Sequence, residues 1–276
     1  MLKKLKKYLY NQYPPLSVAS NYLSLARDMK RFGVKLTPYG FKFIGPTELQ
    51  EGLYEPDETK LIQSFLKEST VFIDIGANMG YYSCLGRSAG LKVIAIEPLL
   101  YNLEYLYANL ETNGYYDVEV FPVGLAAKTG LATLFGPGTA ASLIQDWSGK
   151  STKKRIVPLL TLDVIIGDRF ADERLLIKID VEGSEYEVLK GANNMLTAFP
   201  ESVWIVEIVL SGNHPNGLNP NFLETFEKFW SHGFDAFTIG EDVKLVSRND
   251  VLMWIKKADS GGTFLFKKQV QNVSSG

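Results

Sequence analysis

Between Val71 and Ser83 the chain reads Val-Phe-Ile-Asp-Ile-Gly-Ala-Asn-Met-Gly-Tyr-Tyr-Ser, and no other stretch restricts the fold as much. Four of its first five residues are apolar and three are β-branched, which predicts a buried strand. Two glycines around an asparagine then predict a tight turn leading into a helix. In open parallel sheets ligands sit outside the carboxyl ends of the strands, and glycines let the backbone approach them closely. The turn is therefore the expected ligand site.

Charge narrows the ligand. A dinucleotide site calls for Gly-x-Gly-x-x-Gly, whose second glycine lets a pyrophosphate reach bare backbone; here Asn78 holds that place. Asp74, just before the turn, repels phosphate and suits a cation, and no Lys or Arg stands between Val71 and Gly86 to neutralise it. Glu97 closes the next strand, Lys92 to Glu97, about twenty residues on, where an acidic group takes ribose hydroxyls. A positively charged nucleoside without phosphates satisfies all three observations.

These residues resemble a known family. Asp74-x-Gly76-x-Asn78-x-Gly80-Tyr81-Tyr-Ser, then Glu97-Pro98 with Asn102, Lys178-x-Asp180-x-Glu182-Gly183, and Val206-Glu207-Ile208 look like the FkbM-type methyltransferases. The resemblance covers roughly residues 40 to 240. It implies a class I, Rossmann-like α/β fold whose doubly wound sheet is mostly parallel with an antiparallel closing strand. It also implies S-adenosyl-L-methionine as cofactor, a sulfonium nucleoside that agrees with the reading from charge. Asp74, Gly76, Asn78, Gly80, Tyr81, Glu97, Pro98 and Asn102 then fall to cofactor binding.

Composition sets the outer bounds. The chain has 276 residues, 46% of them apolar and 22% charged, as in ordinary globular domains. A net charge of -2 lacks the basic footprint of a nucleic-acid binder, so a small-molecule acceptor is expected. Cys84, the only cysteine, has no internal disulfide partner and reads as a small buried hydrophobe. No apolar run spans a bilayer and no cleavage signal follows the basic start, so the expected location is the cytoplasm. Leu2, Leu5 and Leu9 among lysines in residues 1 to 10 read as a helix packing on the domain, with membrane-surface association as the alternative. Nothing in the composition fixes an oligomeric state.

Residues 1 to 55 read as a helical extension broken at Pro14-Pro15, with a helix from Ser17 to Phe32 stopped by Gly33 and a short strand around Tyr39 to Gly45. The resemblance places this extension over the acceptor side of the cleft. Residues 56 to 268 read as the cofactor-binding domain, and 269 to 276 as a polar tail that frays.

Within the domain, a helix from Glu55 to Lys67 precedes strands at Val71 to Ile75, Lys92 to Glu97, Val118 to Val123, Leu175 to Asp180 and Val203 to Val209, with helices between them. The third strand ends at Val123-Gly124, which the resemblance sets near the adenine. No acidic residue stands there, so apolar packing from Pro98 and Val123 and backbone groups are expected to hold the base. Leu131 to Phe135 and Arg155 to Leu160 read as an inserted hairpin. Its Gly136 to Lys154 loop, with Lys150, Lys153, Lys154 and Arg155 near Trp147, is either solvated or a lid over an acidic or sugar-like acceptor. Phe234 to Ile239 and Thr263 to Lys267 read as closing strands, whereas periodicity leaves Val251 to Lys257 open between helix and strand.

The catalytic candidates are carboxylates in places that demand a reason. Asp180 ends a buried strand, and Lys178, two residues back on the same face, is expected to pair with it. Glu207 interrupts an apolar strand and needs a partner such as Lys178 or a ligand. Glu182 opens the following helix, and His214 lies in a loop at the cleft mouth. The reading is methyl transfer to a hydroxyl by in-line displacement, with Asp180 as first choice of general base and Glu182, Glu207 and His214 as the others; the family resemblance implies a sugar or secondary-metabolite acceptor. Asp180, Glu207 and His214 are also plausible ligands of a divalent ion, though their spacing fixes no geometry. The competing readings are an NAD-dependent oxidoreductase on the same sheet and a nucleoside-binding module without catalysis.

Overall fold

The computed structural model describes residues 30–147, 149–259 and 261–268. The expected amphipathic helix of residues 1 to 10, the Pro14-Pro15 break, most of the Ser17 to Phe32 helix and the 269 to 276 tail lie outside the described residues. Residues 30–32 are helical and Gly33, at φ +65°, ends the segment.

A small antiparallel pair follows, β1 (Val34–Leu36) and β2 (Lys42–Ile44), and then a helical turn, α1 (Thr47–Gln50). Phe41 and Phe43 are fully buried and pack edge-on against Tyr81. This leading segment is thereby built into the core of the domain.

Helix α2 (Pro56–Leu66) has Pro at its first position, where the missing N–H is no loss. After it come β3 (Val71–Ile75), α3 (Tyr81–Ser88), β4 (Lys92–Ile96), α4 (Leu100–Asn113) and β5 (Glu119–Phe121). The third core strand is shorter than the sequence pattern implies. Pro122 has no N–H for the ladder, and the chain leaves the main sheet there. After Val123 comes β6 (Gly124–Leu125), which joins the inserted hairpin of β7 (Gly130–Phe135) and β8 (Lys154–Leu160) in a separate three-stranded sheet.

The main fold resumes with α5 (Leu162–Ile166), β9 (Leu175–Ile179), α6 (Glu185–Lys190), α7 (Asn193–Ala198) and β10 (Val203–Val209). It closes with α8 (Phe222–Trp230), β11 (Asp235–Thr238), β12 (Leu245–Val246), α9 (Arg248–Lys257) and β13 (Gly261–Lys267). The ambiguous 251 to 257 stretch is helical because Ser247 and Asp250 form a capping box that starts α9.

The main sheet has the order β12-β11-β13-β10-β9-β3-β4-β5. Strands β5, β4, β3, β9 and β10 are mutually parallel, and β13 is inserted antiparallel between β10 and β11. Alternation along β3 sends Val71, Ile73 and Ile75 into one core layer and Phe72 into the other. Among the described residues, no helix is long and apolar enough to cross a membrane.

Candidate functional site

The site forms where the carboxyl ends of β3, β4, β9 and β10 meet the end of the leading segment. A cleft there holds about 940 Å³ of empty space, its mouth included, and its wall includes Gly76, Asn78, Glu97, Asn102, Asp180 and Glu207. A second, smaller cavity adjoins it through Tyr54, Gly76, Asn78 and Asp180, and reaches Tyr81, Tyr82 and Lys178.

The glycine turn is drawn against the strand ends by its own amides. Gly76 N–H and Ala77 N–H both donate to the Ile96 carbonyl, at 2.9 and 3.0 Å. Asn78 N–H donates to Glu97 Oε2 at 2.9 Å, and Gly80 N–H to the Ala77 carbonyl at 2.8 Å. These amides are consumed within the turn and offer no nest to a pyrophosphate. Gly76 is at φ +83°, and a Cβ on it would overlap the Asp180 carbonyl oxygen, so the turn touches the end of β9 through backbone alone.

Glu97 is 5% exposed; its Oε1 accepts the Leu99 N–H at 2.7 Å. Burial pushes its carboxyl up to about 7, against the hydrogen bonds from Leu99, Asn78 and Asn102 that hold it down. Pro98, Val123, Gly124 and Leu125 continue the wall in apolar fashion, with no acidic side chain beside Gly124. Leu134 and Leu143 from the inserted hairpin complete that side.

The other half of the cleft is acidic. Lys178 Nζ lies 3.0 Å from Asp180 Oδ2, and its second partner is Glu58 Oε1 of α2 at 3.2 Å. Burial opposes the Lys178 charge, but Asp180 and Glu58 outweigh it and hold the ammonium well above its usual range. Burial raises Asp180, but the same ammonium and a hydrogen bond from Glu207 together keep it below the usual carboxylate range. Glu207 responds in the opposite sense. Burial, the Asp180 charge and a hydrogen bond between the two carboxyl groups push it up, so it carries the proton of the pair. Glu207 therefore finds its hydrogen-bond partner in Asp180, while Lys178 bonds Asp180 and Glu58.

Glu182 lines the cleft at φ +55°, with Trp147 Nε1–H donating to its Oε2 at 2.7 Å and Ser142 Oγ–H to its carbonyl at 2.6 Å. Trp147 is buried against Gly183, where a Cβ would sit 2.5 Å from its ring. The middle of the inserted loop is thus docked on the site, while Lys150, Lys153, Lys154 and Arg155 are exposed.

Several expected site residues stand elsewhere. Asp74 is on the strand face toward α3, where it accepts Ser83 Oγ–H at 2.6 Å; it is buried and absent from the cleft wall. Its face follows from the strand period, since it sits level with Lys178 across the ladder. Gly80, at φ +83°, starts α3 and packs on Leu106, and Tyr81 belongs to the smaller cavity. His214 also stays outside the cleft wall; its ring meets Trp147 edge-on at 6.1 Å and its Nδ1 accepts the Asn216 N–H. Asp180, Glu207 and His214 do not close on a common point, and the described residues contain no group of three or more His, Cys, Asp or Glu disposed to hold a metal.

Three participants went unread in the sequence. Tyr54 and Glu55 end the leading segment and line the cleft, and Glu58 completes the Lys178 pair from the next helical turn. Glu55-Pro56-Asp57-Glu58 carries the signal of a helix start, which hides the second task of its carboxylates.

Of the carboxylates that burial raises in this region, four set a pH dependence near neutrality. Burial lifts Asp74 to about 6 and Glu97, Glu182 and Glu185 to about 7. Folded protein then binds more protons than unfolded chain between the ordinary carboxylate range and pH 7, so stability falls as pH rises through that window. The melting temperature of the ligand-free protein is expected to be higher at about pH 5.5 than at about pH 8. Scanning calorimetry that found the reverse would mean these groups are ionised and paired when folded.

A mostly parallel sheet with β13 and the edge strand β12 reversed, and an acid closing the strand beside the glycine turn, defines the class I S-adenosylmethionine-dependent methyltransferase fold. Within that class the particular family is fixed by sequence. The profile of the Methyltransferase FkbM domain matches residues 74–236, more than half of the chain, and the chain belongs to that family. It is 28% identical over 149 residues to the hexuronic acid methyltransferase AglP of Haloferax volcanii, an alignment covering 51% of this chain and 58% of the relative. Among solved structures it is similar to an FkbM methyltransferase from Methylobacillus flagellatus, with 20% identity, TM-score 0.45, and coverage of 72% of this chain and 43% of the other. A Bacillus cereus O-methyltransferase solved in complex with SAH matches at 15% identity and TM-score 0.45, covering 80% of this chain and 90% of the other.

Proposed function

We propose that this chain transfers a methyl group from S-adenosylmethionine to a hydroxyl of a sugar or secondary-metabolite acceptor, with Asp180 as general base. The observation that carries the reading is the Lys178-Asp180-Glu207 arrangement at the cleft wall, beside the turn that would hold the cofactor.

The chain's own groups fit a nucleoside with a cationic end. Asn78 Oδ1 and Asn102 Oδ1 are buried in the cleft wall without a hydrogen-bond partner, two acceptors suited to hydroxyl or ammonium donors. Glu97 would take the ribose hydroxyls, and Pro98, Val123 and Leu125 would enclose the base. Asp74 supports the site indirectly, by fixing α3 through Ser83. When bound, the cofactor supplies an electrophilic methyl group on a sulfonium.

The chain supplies the proton acceptor and the alignment. Asp180 is ionised because Lys178 faces it, and its side chain is still 20% exposed, so an incoming hydroxyl can reach it. Glu207 holds its proton toward Asp180 and steadies that carboxylate in one orientation. Tyr54 and Glu55 also line the cleft, and their place at the end of the leading segment supports its role as the acceptor-side cover.

Calorimetric titration with S-adenosylmethionine, S-adenosylhomocysteine and NAD tests the reading. Micromolar binding of the first two and none of NAD is expected, with Glu97→Ala weakening both by about ten-fold or more through lost ribose bonds. Binding of NAD alone would make the chain an oxidoreductase. Unchanged affinity in Glu97→Ala would remove Glu97 from the ribose.

A further inference from the structure

We infer that the acceptor is a saccharide without a carboxylate, held through O–H or N–H donors by Glu55 and Glu182. The inference rests on the proposed methyl transfer and names the substrate class of that same site.

The first support is the charge of the wall. Among the described residues the main cleft is lined by Glu55, Glu97, Asp180, Glu182 and Glu207 and by no Lys, Arg or His. Lys178, in the adjoining cavity, is already committed to Asp180 and Glu58. The inserted loop's lysines are no substitute: Lys150 and Lys153 are exposed, and Lys154 lies over the Phe135 ring. A uronate entering here would find no cation and would meet the Asp180 charge, joined by that of Glu182 above about pH 7, and like charges juxtaposed in a partly desolvated site reject a ligand strongly.

The cofactor does not account for all of this acidity. Glu97 lies on the ribose side, and Asp180 with Glu207 forms a unit that Lys178 and a shared proton already compensate. Glu55 and Glu182 remain as acceptors in excess. Both are held in place: Tyr82 O–H donates to Glu55 Oε2 at 3.0 Å, and Trp147 Nε1–H to Glu182 Oε2.

Backbone geometry gives the second support. Of the five non-glycine residues at positive φ among the described residues, three, Glu55, Asn78 and Glu182, line this cleft. Glu55 adopts φ 41° directly before Pro56, a conformation that a following proline disfavours. Such strain persists where the surroundings impose it, and it collects at binding sites. Carboxylates in a cleft that also presents an aromatic side chain, here Tyr54, suit a polyol, whose hydroxyls donate while its apolar ring face packs on the aromatic. The Haloferax volcanii relative is a hexuronic acid methyltransferase, and on this argument its acidic substrate does not carry over.

The test uses the full chain saturated with S-adenosylhomocysteine, whose binding is measured in the same samples. Methyl glycosides in the gluco, galacto and manno series are titrated as neutral hexoside, hexosaminide and hexuronide, followed by saturation-transfer NMR. The hexoside or hexosaminide of at least one series is expected to bind roughly ten-fold or more tightly than its hexuronide. Glu55→Gln and Glu182→Gln should narrow that gap by admitting the hexuronide. A hexuronide that binds as well as its neutral counterpart overturns the inference. Absence of binding by all nine, with S-adenosylhomocysteine bound, overturns the saccharide class and leaves methyl transfer standing. Failure to bind S-adenosylhomocysteine removes both.

Discussion

Asp180→Asn is expected to slow methyl transfer by about 10²- to 10⁴-fold, the usual contribution of a positioned base. Asparagine keeps the size and the ability to face Lys178 and Glu207, but it cannot take the acceptor proton. The dissociation constant for S-adenosylhomocysteine should stay within a few-fold, because the groups suited to that ligand lie on the turn and on β4. Glu207→Gln is the informative companion. It keeps a hydrogen-bond donor toward Asp180, so its rate should fall far less. The check is the rate of S-adenosylhomocysteine release with the first acceptor found to turn over. Full turnover in Asp180→Asn would pass the role of base to another group.

Lys178→Met is the substitution expected to damage the fold most. It leaves Asp180 and Glu58 facing one another across a buried space with no cation, and breaking a buried pair from one side costs about 3 to 5 kcal/mol. The damage should depend on pH with a definite sign. Without the ammonium the buried Asp180 carboxyl binds its proton more tightly when folded than when unfolded. The deficit should therefore be largest near neutrality and shrink as the pH falls into the carboxylate range. Urea unfolding at two pH values measures this. Adding Glu58→Met should restore part of the loss, since contacting residues are not additive. A single variant as stable as the wild type would show that the two carboxyls already share a proton without Lys178.

Much of this architecture is written in short-range pattern. The β10 boundaries follow from an apolar run, and β3 with its turn follows from branched residues meeting two glycines. The departures have physical causes. Pro122 carried the signal that ended the third strand early, and Ser247 with Asp250 carried the one that made α9 a helix. The site is less legible. A period of two says that Lys178 and Asp180 share a face, and they do meet, but it does not say which face of β3 opens on the cleft. Asp74 lies on the helix-packed side for that reason. Glu58 reaches Lys178 from 120 positions away in the chain, and Trp147 reaches Glu182 from a loop; only packing in three dimensions joins such pairs.

The contact between Gly76 and the Asp180 carbonyl bears on how this chain can diverge. The separation between the glycine turn and Asp180 is set by two main chains in van der Waals contact, locked by the Ile75 to Ile179 register of adjacent strands. No side chain takes part in that gauge, so mutations that remodel the acceptor wall leave it untouched. New specificities can arise from the leading segment and the inserted hairpin without realigning the chemistry. The single position that cannot drift is the glycine.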